Sequence, residues 1–334
     1  MPILRKSCIP NKPRTALALF AMAVLPVLAA GLLLGSRSYS PAALWASLWA
    51  GPQDPVYRIL VYIRLPRVFG AFLAGGALAL AGALLQSVLN NPMASPNIIG
   101  VNAGAGFFGL LAGVLLPGFH APAAFLGALL TALFIFALAK KAGLSRTTLI
   151  LAGTAVNAIL NAGVQAVNTL FPELAIGSGF MAGSLSGVTL SALANAGWYL
   201  AAGAVLALLL AGELNVLRLG EESASALGVA VGRVRFLTVL SAALLAGGAV
   251  SFAGLLGFVG LLVPHIARRF LGSDCRWLFP GCILLGGALV VLCDTLARVL
   301  FAPFELPVGI LLAALGGPFF LWLLLLRRKG RRPL

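Results

Sequence analysis

Thr154, Asn157, Asn161, Gln165 and Asn168 recur every three or four residues within the apolar run from Leu149 to Leu170. That spacing puts five uncharged polar side chains on one face of a helix. The run is long enough to span a bilayer and holds no charged residue. Amides facing lipid would lose their hydrogen bonds at high cost, so this face must meet protein or water. Two roles fit: a hydrogen-bonded contact between helices, or the wall of a polar passage.

Other reactive side chains are sparse. His120 and His265 are the two histidines, and neither has an acid or nucleophile at a recognisable catalytic spacing. Cys8, Cys275, Cys282 and Cys293 form no C-x-x-C pair and read as small apolar filler. No metal site is expected, and no G-x-x-x-x-G-K-[ST] phosphate loop occurs, so the chain is not expected to hydrolyse ATP by itself. The eight acids are Asp54, Glu173, Glu213, Glu221, Glu222, Asp274, Asp294 and Glu305. Of these, Asp294 alone falls inside an apolar run, near its outer end and four residues before Arg298, a spacing that suits a local ion pair. Ion-coupled carriers usually keep an ionisable group near the midplane. A polar passage without one points to a partner that supplies the energy.

The elements that must position these groups follow from composition. The 334 residues are 61% hydrophobic and 9% charged, with a mean hydropathy of +1.06. A soluble domain could not cover that apolar surface, and long apolar runs argue against a β-barrel. The fold class expected is an all-α polytopic membrane protein. Ten spans are expected, near 15–35, 67–89, 97–116, 121–140, 148–170, 190–211, 236–256, 258–271, 277–300 and 307–326. The eighth is short enough to be a half helix, and 171–189 reads as a segment folding back at the surface. One permease domain is expected over 1–334, with a membrane region at 15–326, a cytoplasmic loop at 212–235 and a basic tail at 327–334.

The net charge of +15 is distributed by side rather than gathered for nucleic acid. With the N-terminus inside, 18 of the 23 basic residues face the cytoplasm, and Arg37, Arg58, Arg64, Arg67 and Arg298 face outward. The positive-inside rule selects this orientation, with both termini cytoplasmic and the tail near anionic headgroups. The first run is expected to be a retained span, because its cleavage as a signal peptide would leave nine.

Three further features fit an energised partner. Leu219 to Val229 reads as a short cytoplasmic helix, opened by Gly220, with Glu221 and Glu222 at its N-terminus and closed near Gly228. Its plainer alternative is a solvated loop. Arg64, Arg67 and Arg298 place guanidinium groups at the outer rim, where they suit carboxylates of a docking protein or act as interfacial anchors. Asn90 to Asn97, with Pro92 and Pro96, reads as an irregular cytoplasmic link.

Taken in order, these residues resemble a family. Arg64-Leu65-Pro66-Arg67, Gly75-Gly76-Ala77, Gly82, Gln86, Asn91-Pro92-Met93-Ala94-Ser95-Pro96 and Gly100 are similar to the signature of FecCD-type permeases. So are Gly183-Ser184-Leu185-Ser186-Gly187, the stretch from Gly257 through Pro264-His265 to Arg268, Glu305-Leu306-Pro307-Val308-Gly309 and Gly316-Gly317-Pro318. Met93 stands where leucine is commoner, and Phe180-Met181-Ala182-Gly183 departs from a frequent tryptophan-containing version. These permeases are the membrane subunits of type II ABC importers for ferric siderophores, haem and cobalamin.

The resemblance implies ten helices per subunit and a second permease subunit, the same chain or a related one. It also implies two cytoplasmic ATPase subunits, which use ATP and Mg, and an external substrate-binding protein. No cofactor is expected in this chain. By position, Arg64, Arg67 and Arg298 resemble arginines that meet acids on the binding protein, and Asn91, Met93, Thr147 and Thr148 resemble cytoplasmic gate residues. Glu221, Glu222, Ser223, Ala224, Leu227 and Gly228 resemble the helix seated in the ATPase groove. The polar stripe falls on the fifth helix, which implies a place along the route between subunits. A ferric siderophore is the first expected cargo, with haem and cobalamin after it. An ion-coupled secondary transporter is the alternative from another class.

Overall fold

A computed structural model describes residues 13–116, 118–142, 146–172 and 178–329. The basic residues Arg5, Lys6, Lys12, Arg331 and Arg332, together with Cys8 and Glu173, lie outside the described residues. The chain folds into helices α1 (Pro13–Leu33), α2 (Pro41–Ala50), α3 (Pro55–Arg58), α4 (Leu65–Val88), α5 (Val101–Leu115), α6 (His120–Lys141) and α7 (Arg146–Leu170). There follow α8 (Ser178–Ala182), α9 (Leu190–Leu217), α10 (Glu221–Ala226), α11 (Val231–Ala253), α12 (Val259–Leu271), α13 (Cys275–Leu300) and α14 (Val308–Lys329). A π-helical turn (Ile59–Arg64) leads into α4, and a 3-10 turn (Pro96–Ile99) precedes α5.

Ten helices of 13 or more residues fall on the ten expected runs. Seven of them are long and apolar enough to cross a membrane. Two are shorter, α5 with 15 residues and α12 with 13. The third expected span, 97–116, is the one most shortened. Pro96 starts a 3-10 turn, and Gly100 at φ 75° breaks the chain before α5 begins. The short α12 is set off from α11 by the non-helical segment 254–258, where Gly254 (φ 70°) and Phe258 (φ 63°) both take left-handed backbone.

The non-helical connection and α10 fall within the expected cytoplasmic loop 212–235. α9 continues to Leu217 and α11 starts at Val231, so the connection containing α10 is 218–230. Leu214 and Leu217 are buried, and their packing carries α9 past Gly212. Within 171–189, expected to fold back, the described residues include the short α8.

The core is built around α4, most of whose side chains are buried. α13, α11, α12 and α9 pack along it. Glycine permits the closest approaches. A Cβ on Gly75 would lie 2.1 Å from the Gly286 carbonyl oxygen on α13, and one on Gly82 would lie 1.8 Å from that of Gly260 on α12. Small residues at such crossings let helix backbones meet where lipid supplies no hydrophobic drive. Gln86 then pins the inner end of α4, donating to the Gly260 carbonyl at 3.2 Å and accepting from Arg268 on α12. Peripheral α1 exposes Leu19, Met22 and Leu25 outward, an apolar surface that suits lipid.

Candidate translocation and coupling sites

α7 is the least covered of the central helices, and its polar stripe lies open. Thr154, Asn161, Gln165 and Asn168 are exposed in the single chain, and Asn157 is half-buried. The buried side of α7 carries Leu149, Val164 and Val167. The Thr154 hydroxyl donates back to the Leu151 carbonyl, so it is satisfied within its own helix. Asn157 Nδ2 donates across to the Asn97 carbonyl at 2.9 Å, tying α7 to the 3-10 turn. Beyond the stripe, α7 exposes Ala155, Ala158, Ala162 and Ala166 together with Leu151 and Ile159, an apolar face that suits packing of another helix or lipid.

Asn157 and Asn161 also line a cavity of about 190 Å³ with Asn97, Asn102 and Met181. The buried Oδ1 atoms of Asn102 and Asn157 have no hydrogen-bond donor among the described residues. A cavity of this size has room for water, which would satisfy both acceptors. Asn102 escaped the sequence reading. It is a single amide on a separate, short helix, and only folding brings it beside the stripe.

The link between α4 and α5 is irregular, as its prolines dictate. Asn90 takes φ 44°, a left-handed conformation that asparagine tolerates. Asn91 Oδ1 accepts from the Met93 backbone N–H at 3.0 Å, and Asn91 N–H donates to the Gln86 carbonyl at 3.1 Å. Met93 lines a second cavity, of about 220 Å³, with Asn97, Phe258 and Phe320. Phe258 belongs to the family-like stretch from Gly257 to Arg268 without a role expected for it; its ring fills the space left by Gly316 on α14. Thr147 is exposed and Thr148 half-buried in the first turn of α7.

At the cytoplasmic end, α10 is a six-residue helix, shorter than the expected stretch to Gly228. The Leu227 and Gly228 backbone N–H groups close it on the carbonyls of Ser223 and Ser225. Gly220 (φ 116°) and Gly228 (φ 82°) supply the left-handed backbone on either side. Ala224 is buried, so the helix is seated on the protein, while Glu221, Glu222, Ser223 and Leu227 face out. Arg235 on α11 pairs with Glu221. The end of α9 is latched to the turn before α13: Asn215 donates to Asp274 at 2.6 Å and accepts from the Cys275 N–H at 2.9 Å, and Arg218 donates to the Ser273 carbonyl.

The outer arginines, expected to dock a binding protein or to anchor at the interface, are buried in the single chain. Arg64, Arg67 and Arg298 are each 5% exposed. Arg67 grips both oxygens of Asp294 at 3.0–3.1 Å and reaches Glu305 at 2.7 Å. Arg298 lies 3.0 Å from Asp294 and donates to the carbonyls of Gly31 and Leu34, so the expected i,i+4 pair is present within a larger cluster. Arg64 donates to the carbonyls of Leu32 and Arg37 and lies over the Tyr39 ring. The π-helical turn has a local cause: Pro66 has no N–H to return to Tyr62, and Leu65 N–H bonds instead to Leu60, five residues back. Folding therefore turns the arginines inward, where they clamp the outer ends of α1, α4 and α13.

A helical membrane protein with an uncovered polar helix face, no carboxylate beside it among the described residues and a seated cytoplasmic helix has the build of a transport permease. The FecCD transport family pattern matches residues 21–326, and the chain belongs to this family of multi-pass ABC-transporter permeases of the cell membrane. It is 38% identical over 333 residues to the hemin transport system permease protein HmuU of Yersinia pestis, covering 96% of this chain and 98% of that protein. It is 34% identical over 322 residues to the Fe(3+)-citrate import system permease protein YfmE of Bacillus subtilis, covering 94% and 96% of the two chains. Among solved structures it resembles an inward-facing ABC transporter described as of metal-chelate type, with a TM-score of 0.79, 28% identity and coverage of 92% and 97%.

Proposed function

We propose that this chain is the permease subunit of an ATP-driven importer that passes an iron chelate, a ferric siderophore first, from an external binding protein into the cytoplasm by alternating access. The observation that carries the reading is the α7 stripe: four of its five polar side chains are exposed, and no charge stands among them. Exposed amides beside an exposed apolar face fit a route bounded by a second permease copy or a related chain. Uncharged amides offer hydrogen bonds to a bulky polar chelate without holding it by charge. Haem is the second reading, favoured by the hemin-transport relative, and cobalamin is the third. A lone ion-coupled carrier is disfavoured because Asp294 is already paired with Arg67 and Arg298.

In this reading the binding protein docks at the outer end. There, Arg64, Arg67 and Arg298 outnumber Asp294 and Glu305 and leave a net positive field. Two ATPase subunits seat α10 in their grooves and use ATP and Mg; this chain needs no cofactor of its own. Closure of the ATPase pair moves α10, and the latch from Asn215 and Arg218 carries that motion to α13. The gate at Asn91, Met93, Thr147 and Thr148 then exchanges between two arrangements.

Replacing Asn157, Asn161 and Gln165 together with leucine is expected to lower chelate uptake at least tenfold while co-purification with the ATPase is unchanged. Uptake that survives in a complex that falls apart would make the stripe a packing seam. Affinities of the cognate binding protein for ferric chelates, haem and cobalamin select the cargo.

A further inference from the structure

α2 turns its apolar face away from the protein. The helix is well delimited: Ser40 caps it by accepting from the Ala43 N–H at 3.1 Å, Pro41 begins it, and Gly51 at φ 81° ends it. It carries no charge. Leu44 and Ser47 are buried against the fold, whereas Pro41, Ala42, Trp45, Leu48 and Trp49 are exposed. Their spacing of i, i+1, i+4, i+7 and i+8 makes one continuous stripe. Trp45 is 66% exposed and Trp49 80%, with their rings edge to face at 6.3 Å. A face this apolar has to be covered by something other than water.

Its surroundings identify the cover. Tyr62, Ile63 and Phe69, on the turn and helix that follow, and Leu34, at the end of α1, are exposed as well. α1 likewise exposes Leu19, Met22 and Leu25. Arg37 and Arg58 are exposed and precede and follow α2 in the chain, Arg58 also donating to the Pro52 carbonyl at 2.8 Å and to Gln53 Oε1 at 3.2 Å. Three of the four tyrosines, Tyr39, Tyr57 and Tyr62, lie in the same stretch. Indole and phenol rings, apolar with one polar edge, favour the headgroup level of a bilayer, and flanking arginines meet phosphates there.

We propose that α2 is a lipid-binding element lying in the outer headgroup layer, with Trp45 and Trp49 seated at the acyl boundary and Arg37 and Arg58 on lipid phosphates. It anchors the outer ends of α1 and α4, which the arginine cluster joins to α13. The anchoring does not depend on the cargo or on the energy source.

The test compares tryptophan fluorescence of the full chain with that of the Trp45→Phe, Trp49→Phe variant in phosphatidylcholine–phosphatidylglycerol nanodiscs. The difference signal reports the α2 indoles alone. Lipids brominated near the top of the acyl chain are expected to quench it at least twofold more than lipids brominated near the methyl end, with little quenching by aqueous iodide. Strongest quenching by methyl-end bromine would overturn the interfacial placement. Iodide quenching without a bromine effect would also overturn it, and would leave the face to water or a protein partner.

Discussion

Reversing charge at Glu221 and Glu222 together, to lysine, is expected to cut uptake at least tenfold and to abolish co-purification of the ATPase subunits. α10 is built for contact. Ala224 seats it, Gly220 and Gly228 fix where the chain enters and leaves, and Leu219 and Leu227 stand exposed beside it. The two carboxylates sit at the helix N-terminus, where the backbone dipole favours negative charge by about 0.3–1 kcal/mol each. Lysines there oppose the dipole and repel Arg235, now paired with Glu221. Arg235→Gln separates the two effects, because it removes the ion pair and keeps the acidic face. A coupling surface predicts near-normal transport for Arg235→Gln and none for the lysine pair. Normal uptake by the lysine pair would sink the assignment of α10.

Asp294→Leu is the second large effect. Its carboxylate is 2% exposed and sits between Arg67 and Arg298, themselves 6% and 5% exposed at the side chain. Removing it leaves two buried guanidinium groups, with half-exposed Glu305 as the one remaining carboxylate in the cluster. Breaking such a buried pair typically costs about 3–5 kcal/mol. Thermal unfolding in nanodiscs should show a markedly lower midpoint. Adding Arg67→Met and Arg298→Met should recover much of the loss, since well-packed apolar groups can replace a buried ion cluster. An unchanged midpoint for Asp294→Leu alone would show that the cluster is hydrated and carries little stability.

The sequence disclosed what is local and periodic. Apolar runs located ten helices, the three-and-four spacing located the α7 stripe, and four-residue spacing located the contact of Asp294 with Arg298. Helix ends were less legible. Pro96 and Gly100 shorten α5, while α9 outruns Gly212 because Leu214 and Leu217 still find a core. The partner of Arg67 was hidden, since Asp294 lies 227 residues away in the chain and Glu305 238. The Arg67 guanidinium is buried for that reason. Asn102 and Phe258 carry no periodic signal, and their places beside the stripe and the α4–α5 link come from packing alone. α2 did have a local signal, Ser40-Pro41 before an apolar stretch and Gly51 after it, and a search for caps would have found it.

Reconstitution tests the central claim, that a separate ATPase drives a chelate through this permease. Vesicles would hold the chain with its ATPase subunits, and the loaded binding protein would sit on the outer side. Uptake is expected with internal ATP and Mg, and is expected to vanish with a non-hydrolysable nucleotide whatever proton or sodium gradient is imposed. Uptake driven by an ion gradient in vesicles that contain this chain alone would contradict the account.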